Sequence, residues 1–138
     1  MTDLGGGVLR QAGSGLQRAQ RDNGGDIGWA GARAYCKSLD TSGGGWRLPK
    51  VEELRSIVDP NVQFRMAGKA PVRVSSLFSL SDQCAWSSNA EIAGNFVVGA
   101  TRVALMSGVA AKSAPGTTSG LRALCVRDSP SEGASENH

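Results

Sequence analysis

The chain has 138 residues, with 15 basic against 12 acidic side chains and a formal net charge of +3. That length holds one ordinary domain, and so mild a balance, without a basic stripe or interleaved aromatics, argues against nucleic acid as a partner. Nineteen glycines against seven aromatic residues argue against a helical bundle and for a loop-rich domain pinned at a few large anchors.

Residues 1–15 carry five glycines without periodicity and read as a flexible lead-in. Met1–Gly7 has no basic stretch followed by an apolar one, so no secretory leader is expected there. The ordered domain is expected over 16–128. The small, polar and acidic tail at 129–138 is expected to be disordered. Trp29, Ala32, Tyr35, Cys36 and Leu39 fall at spacings of three and four, which predicts a helix ending in the turn residues Thr41–Gly45. A second helix is predicted over 51–58, after Pro49 and before Asp59-Pro60. Beyond residue 84 the pattern changes to short β pieces: 84–88, 95–100, 102–106 and 121–127, with Gly99–Thr101 as a hairpin turn. The last piece is apolar on both faces and reads as a central strand. Helices first and strands afterwards give an α+β order. No apolar run approaches the roughly 18 residues of a membrane span, so no membrane insertion is expected.

Little in this sequence supports catalysis. The one histidine, His138, lies in the tail, so neither a Ser–His nor a Cys–His pair is available in the ordered part. Cys36, Cys84 and Cys125 lack the close spacing of zinc ligands, and no loop resembles a calcium ligand array; no metal and no cofactor are expected. Glu53 reads as a solvated or arginine-paired helix residue. Gly43–Gly45 lacks the Lys-Ser/Thr of a phosphate loop and reads as a turn. Cys36, on the helical stripe, and Cys125, in the last strand, form either a bridge or two buried thiols. Cys84 is expected to be a buried thiol beside Trp86.

Several short motifs combine in a distinctive order: Trp29-x-x-Ala32-x-x-Tyr35-Cys36-x-x-Leu39, Gly45-Trp46-Arg47-Leu48-Pro49-x-x-x-Glu53-Leu54, Val58-Asp59, Trp86-Ser87-Ser88 and Arg122–Arg127. Over residues 14–128 this order resembles the bacterial Lcl C-terminal-like domain family. The resemblance implies a C-type-lectin-like fold related to formylglycine-generating-enzyme-like proteins: two helices around a small twisted antiparallel sheet with long loops. It makes Trp29, Tyr35, Trp46, Arg47, Leu48, Pro49 and Trp86 structural anchors, and it implies a disulfide between Cys36 and Cys125. Three departures stand out: Arg18 where the family has tryptophan, Lys50 in place of a helix-capping threonine, and Gly28 in place of an aspartate. The last two suggest weaker starts to both helices.

The family resemblance also implies an extracellular or cell-surface binding module, some members being associated with adhesion to sulfated polysaccharides. With no leader in the chain, the cytoplasm is the alternative. The calcium-lectin Glu-Pro-Asn and Gln-Pro-Asp tripeptides are absent, as is the close cysteine pair of the formylglycine-generating enzymes. The expectation is therefore a non-enzymatic module whose ligand surface lies in 87–120, with Ser88, Asn89, Glu91, Asn95, Arg102, Lys112, Thr117 and Ser119 facing a glycan or protein. A polyanion there would need help from Arg65, Lys69 and Arg73. Two alternatives use the same surface: a variable protein diversified by a retroelement, and a self-associating subunit of an assembly.

Overall fold

A computed structural model describes residues 1–59, 61–62 and 72–128. The chain is a mixed α+β fold with two curled four-stranded sheets and two helices. Strands β1 (Thr2–Gly5), β2 (Val8–Arg10) and β3 (Gln17–Ala19) make an antiparallel meander, completed by β8 (Val126–Arg127). Helix α1 spans Trp29–Ser38 and helix α2 spans Val51–Arg55. The second sheet has the order β6-β5-β4-β7, from β4 (Cys84–Ala93), β5 (Phe96–Ala104), β6 (Ala110–Ser113) and β7 (Leu121–Arg122). In it β7 runs parallel to β4 and the other pairs are antiparallel.

The segment 121–127 joins the two sheets. It is buried throughout, as its apolar run requires, but it is two short strands rather than one. Leu121 and Arg122 pair with Cys84 and Ala85, whereas Val126 and Arg127 pair with Arg18 and Gln17. Successive residues serve different cores. Ala123 and Cys125 join Trp29, Ala32, Cys36, Trp46 and Trp86, and Leu124 joins Leu9, Leu54, Phe78, Val103 and Leu105. The Cys36–Cys125 disulfide, 89 residues apart in sequence, ties α1 to this junction.

All three indole N–H groups donate to backbone carbonyls: Trp29 to Ser87 (2.9 Å), Trp46 to Thr41 (2.9 Å) and Trp86 to Ile27 (2.8 Å). Each anchor thus buries a large ring without stranding its polar atom. Tyr35, half-buried, packs on the same core, and Leu48 and Pro49 are buried beside Trp46.

Several arginines are internal struts. Arg18, in the place of a family tryptophan, is only 1% exposed. It donates to the Gln11 side chain, the Glu53 carbonyl and the Ser56 hydroxyl. Burial lowers its pKa to about 10, so it remains charged at neutral pH. Arg127 donates to Gln17 and to the Ser42 and Gly44 carbonyls and lies 4.5 Å over the Trp46 ring. Arg122 meets Asp26, Asp82 and the Ser81 hydroxyl.

Three expectations need correction. Residues 1–15 are no loose lead-in: Val8 and Leu9 are 3% and 0% exposed in β2, and Gly5–Gly7, all at positive φ, turn the β1–β2 hairpin. A count of glycines obscured that apolar pair. Gly99–Thr101 lies inside β5; the hairpin turns instead at Gly94-Asn95, where Gly94 has φ 62°. Helix α2 stops at Arg55, three residues short of the expected span. Gly28 and Lys50 give their helices no side-chain cap, as expected, but distant groups meet the first N–H of each helix. The Pro115 carbonyl accepts the Trp29 N–H at 2.9 Å, and a Cβ on Gly28 would stand 3.1 Å from that oxygen. The Asn89 side chain accepts the Val51 N–H at 3.2 Å, while the Glu53 carboxylate accepts the Lys50 N–H at 2.7 Å. Lys50 has no acceptor to offer; Asn89 meets the first N–H of α2, not the second or third that a capping threonine would take. The expected tail at 129–138, with Arg65 and Lys69, lies outside the described residues.

Candidate functional site

Two surfaces stand out, and the first is the outer half of the second sheet. Strands β4 and β5 begin in the core: Trp86 pairs with Arg102, and Ala85 with Val103. Ser87–Asn89 then bulge out of β4, held by the Ser88 N–H donating to the Pro49 carbonyl (2.7 Å) and the Ser87 hydroxyl donating to the Thr101 carbonyl (2.7 Å). Beyond the bulge the hairpin continues into solvent. Ile92, Phe96 and Val98 are 68%, 74% and 55% exposed, whereas Val109, 61% exposed, stands at the other end of β5, beside Ala104. Such apolar exposure around one hairpin exceeds the scattered single residues of an ordinary surface.

The eight residues expected to bind ligand do not converge. Ser88 and Asn89 sit in the bulge, and Asn89 is occupied as a helix cap. Glu91 and Lys112 are ion-paired across β5, above Gly99, which has no side chain to separate them. Lys112 is therefore not an uncommitted cation. Asn95 stands at the hairpin turn, exposed, and Arg102 is half-buried opposite Trp86 on β4. Thr117 and Ser119 belong to the 114–120 loop, which packs on the start of α1 through Pro115. Arg73 lines a separate cavity with Arg55 and Met106. The segment 87–120 thus divides into an exposed apolar hairpin and a loop that supports α1.

The second surface is a cleft of about 470 Å³ lined by Arg33, Lys37, Trp46, Arg47, Leu48, Lys50, Glu53, Ser88 and Asp128. Its wall is the Trp46-Arg47-Leu48-Pro49 segment, pinned to β8 by paired backbone bonds between Arg47 and Val126 (2.8 and 2.9 Å). Arg33 and Lys37, one helical turn apart on α1, share a face with Trp29, whose ring centroid lies 5.7 Å from the Arg33 guanidinium. Inside, Arg47 donates to both Glu53 oxygens (2.8 and 2.9 Å) and to Asp128 (3.1 Å). The family resemblance pointed to Arg47 and Leu48 as anchors only. The cleft as a unit was missed, and its one local signal was the Arg33/Lys37 spacing beside an aromatic residue.

The Arg47 hydrogen bonds, with help from the Lys50 N–H, hold the Glu53 carboxyl down at about 2, and the same pairing raises Arg47 above its ordinary value. A carboxylate depressed in the folded state stabilises above its unfolded pKa and loses that contribution as the pH falls through the folded value. Glu53→Gln is therefore expected to cost about 1–2 kcal/mol at pH 7. In urea unfolding, the gap between variant and wild type should close as the pH falls from about 5 to about 2. A gap independent of pH would show that the Arg47–Glu53 charge pair contributes nothing.

Cys84 carries the remaining thiol, free and half-buried; burial pushes its pKa up, which makes it a poor nucleophile. Among the described residues no group of three or more His, Cys, Asp or Glu side chains is placed to hold a metal ion. No described helix is long and apolar enough to cross a membrane. Comparisons with protein-family models, curated proteins and solved structures find no match to this chain.

Proposed function

We propose that this chain is a non-enzymatic recognition module, built as a C-type-lectin-like scaffold, that binds a protein ligand through its β4–β5–β6 surface. The lectin-like reading is supported by the Cys36–Cys125 bridge from first helix to last strands, by the entry of Trp46-Arg47-Leu48-Pro49 into α2, and by the shared motif order. The observation that carries the function is the exposed apolar tip of the β4–β5 hairpin, where Ile92, Phe96 and Val98 stand on both faces of strands whose other ends are fixed in the core. Strands anchored at Trp86 and Val103 present these side chains without much ordering cost on binding.

A protein suits this surface better than a charged glycan. The cations expected to attract sulfate are not gathered on it: Lys112 is paired with Glu91, Arg102 is half-buried and Arg73 lies elsewhere. Aliphatic and aromatic side chains around a neutralised pair match the apolar centre of a protein–protein interface. The disulfide is of the kind an oxidising compartment favours, which supports reading the module as one that works outside the cell or on its surface.

Parallel protein and glycan arrays, with light scattering on the free chain, test the reading. Binding to proteins by a monomeric chain is expected. Glycan binding alone would overturn it, and self-association without ligand would assign the same surface to an assembly.

A further inference from the structure

The cleft beside α1 has a charge distribution the protein-binding reading does not use. Four cations line it, Arg33, Lys37, Arg47 and Lys50, against the two carboxylates of Glu53 and Asp128. The whole chain carries a net charge of only +3, so most of its positive excess is concentrated on this one concavity. The charges are also sorted by pairing. Arg47 is committed to Glu53 and Asp128, whereas Arg33, Lys37 and Lys50 have no carboxylate partner among the described residues. Trp46 and Leu48, 4% and 3% exposed, back the cleft, the aliphatic stems of Arg33, Lys37 and Lys50 add to its apolar side, and Ser88 completes the lining.

We infer that this cleft binds a compact organic dianion with an apolar body, of the class of an aryl or alkyl phosphate monoester. The volume, about 470 Å³, lies within the range of small-molecule sites. Like charges gathered around a concavity raise the local concentration of a counter-ion, and low-dielectric walls strengthen the effect. Lysine ammonium groups on flexible stems suit a phosphate as point charges, and Arg33 adds a planar donor set. The Arg47–Glu53 pair beside them is already satisfied and keeps the wall rigid. The apolar side next to the cations favours an anion that carries a ring or short chain over a bare one. A long polyanion is disfavoured, because the carboxylates of Glu53 and Asp128 interrupt the positive surface.

Phenyl phosphate, inorganic phosphate and phenol, titrated separately by calorimetry and by chemical-shift mapping, test this inference on the intact chain. Phenyl phosphate is expected to bind more tightly than either fragment, to shift resonances of residues 33–50, and to weaken as salt is raised. The double variant Lys37→Gln/Lys50→Gln alters two exposed side chains and should keep the wild-type urea midpoint while losing about tenfold in affinity, the sum of two modest charge contacts. Equal affinity of variant and wild type, phenol binding as tightly as phenyl phosphate, or no binding at millimolar concentration would each overturn it. The salt titration uses wild-type protein alone, so it stands independently of how the variant folds. Phe96 and Ile92 lie outside this cleft, so failure here leaves the protein-binding surface untouched, and the converse also holds.

Discussion

Removing the Cys36–Cys125 bridge, by reduction or as Cys36→Ala/Cys125→Ala, is expected to cost about 4–5 kcal/mol in urea unfolding. The bond closes a loop spanning 89 positions, and loop entropy released into the unfolded chain grows with loop length. Against a total of roughly 5–15 kcal/mol for a domain, this is the largest single covalent contribution. Location adds to it. Both cysteines are fully buried where α1 meets the 121–127 segment, and that segment joins the two sheets through β7 and β8. Opening the bridge should therefore loosen both sheets together, giving one shifted transition and not two. A loss below about 1 kcal/mol would mean that the unfolded chain is already compact or that the native bond stabilises little.

Trp86→Ala is expected to cost about 3–5 kcal/mol, in line with deletion of a large core ring. Trp86 is fully buried, its indole N–H donates to the Ile27 carbonyl at 2.8 Å, and its strand partner is Arg102. Trp86→Phe separates two causes. It keeps most of the volume and loses the hydrogen bond, so about 1–2 kcal/mol is expected from the stranded carbonyl and the smaller ring. Urea midpoints of the three proteins check the ordering. Equal costs for Ala and Phe would assign the whole effect to the hydrogen bond.

Helix α1 was legible because its buried residues, Trp29, Ala32 and Cys36, recur at helical spacing, and its span of Trp29–Ser38 follows that stripe closely. The α+β class was legible because the short pieces read after residue 84 do become strands, but the expected order of helices before strands fails, since β1, β2 and β3 precede α1. What could not be read were contacts supplied from far away in the chain. The cap on α2 comes from Asn89, 38 residues from Val51, and the acceptor at the start of α1 comes from Pro115. No local rule links those positions. The first strands were misread because glycine was taken as looseness, although Gly5–Gly7 are turn residues and Leu9 is wholly buried.

The candidate site was legible only as a region. Residues 87–120 do hold an exposed surface, but its polar members were selected for their chemistry and the fold uses them otherwise: Asn89 caps a helix, Glu91 neutralises Lys112, and Thr117 lies in the loop behind α1. The apolar residues left exposed, Ile92, Phe96 and Val98, became visible only with the register of β4 and β5. A slipped register moves every side chain to the opposite face.

The most direct measurement uses Ile92→Ser/Phe96→Ser in the oxidised chain, comparing its urea midpoint and its affinity for a protein ligand found on the array with those of wild type. Both side chains are more than half exposed, so the midpoint should not fall, while loss of two apolar anchors should weaken binding by more than about 100-fold. Undiminished binding by the folded variant would contradict the assignment of recognition to the β4–β5–β6 surface.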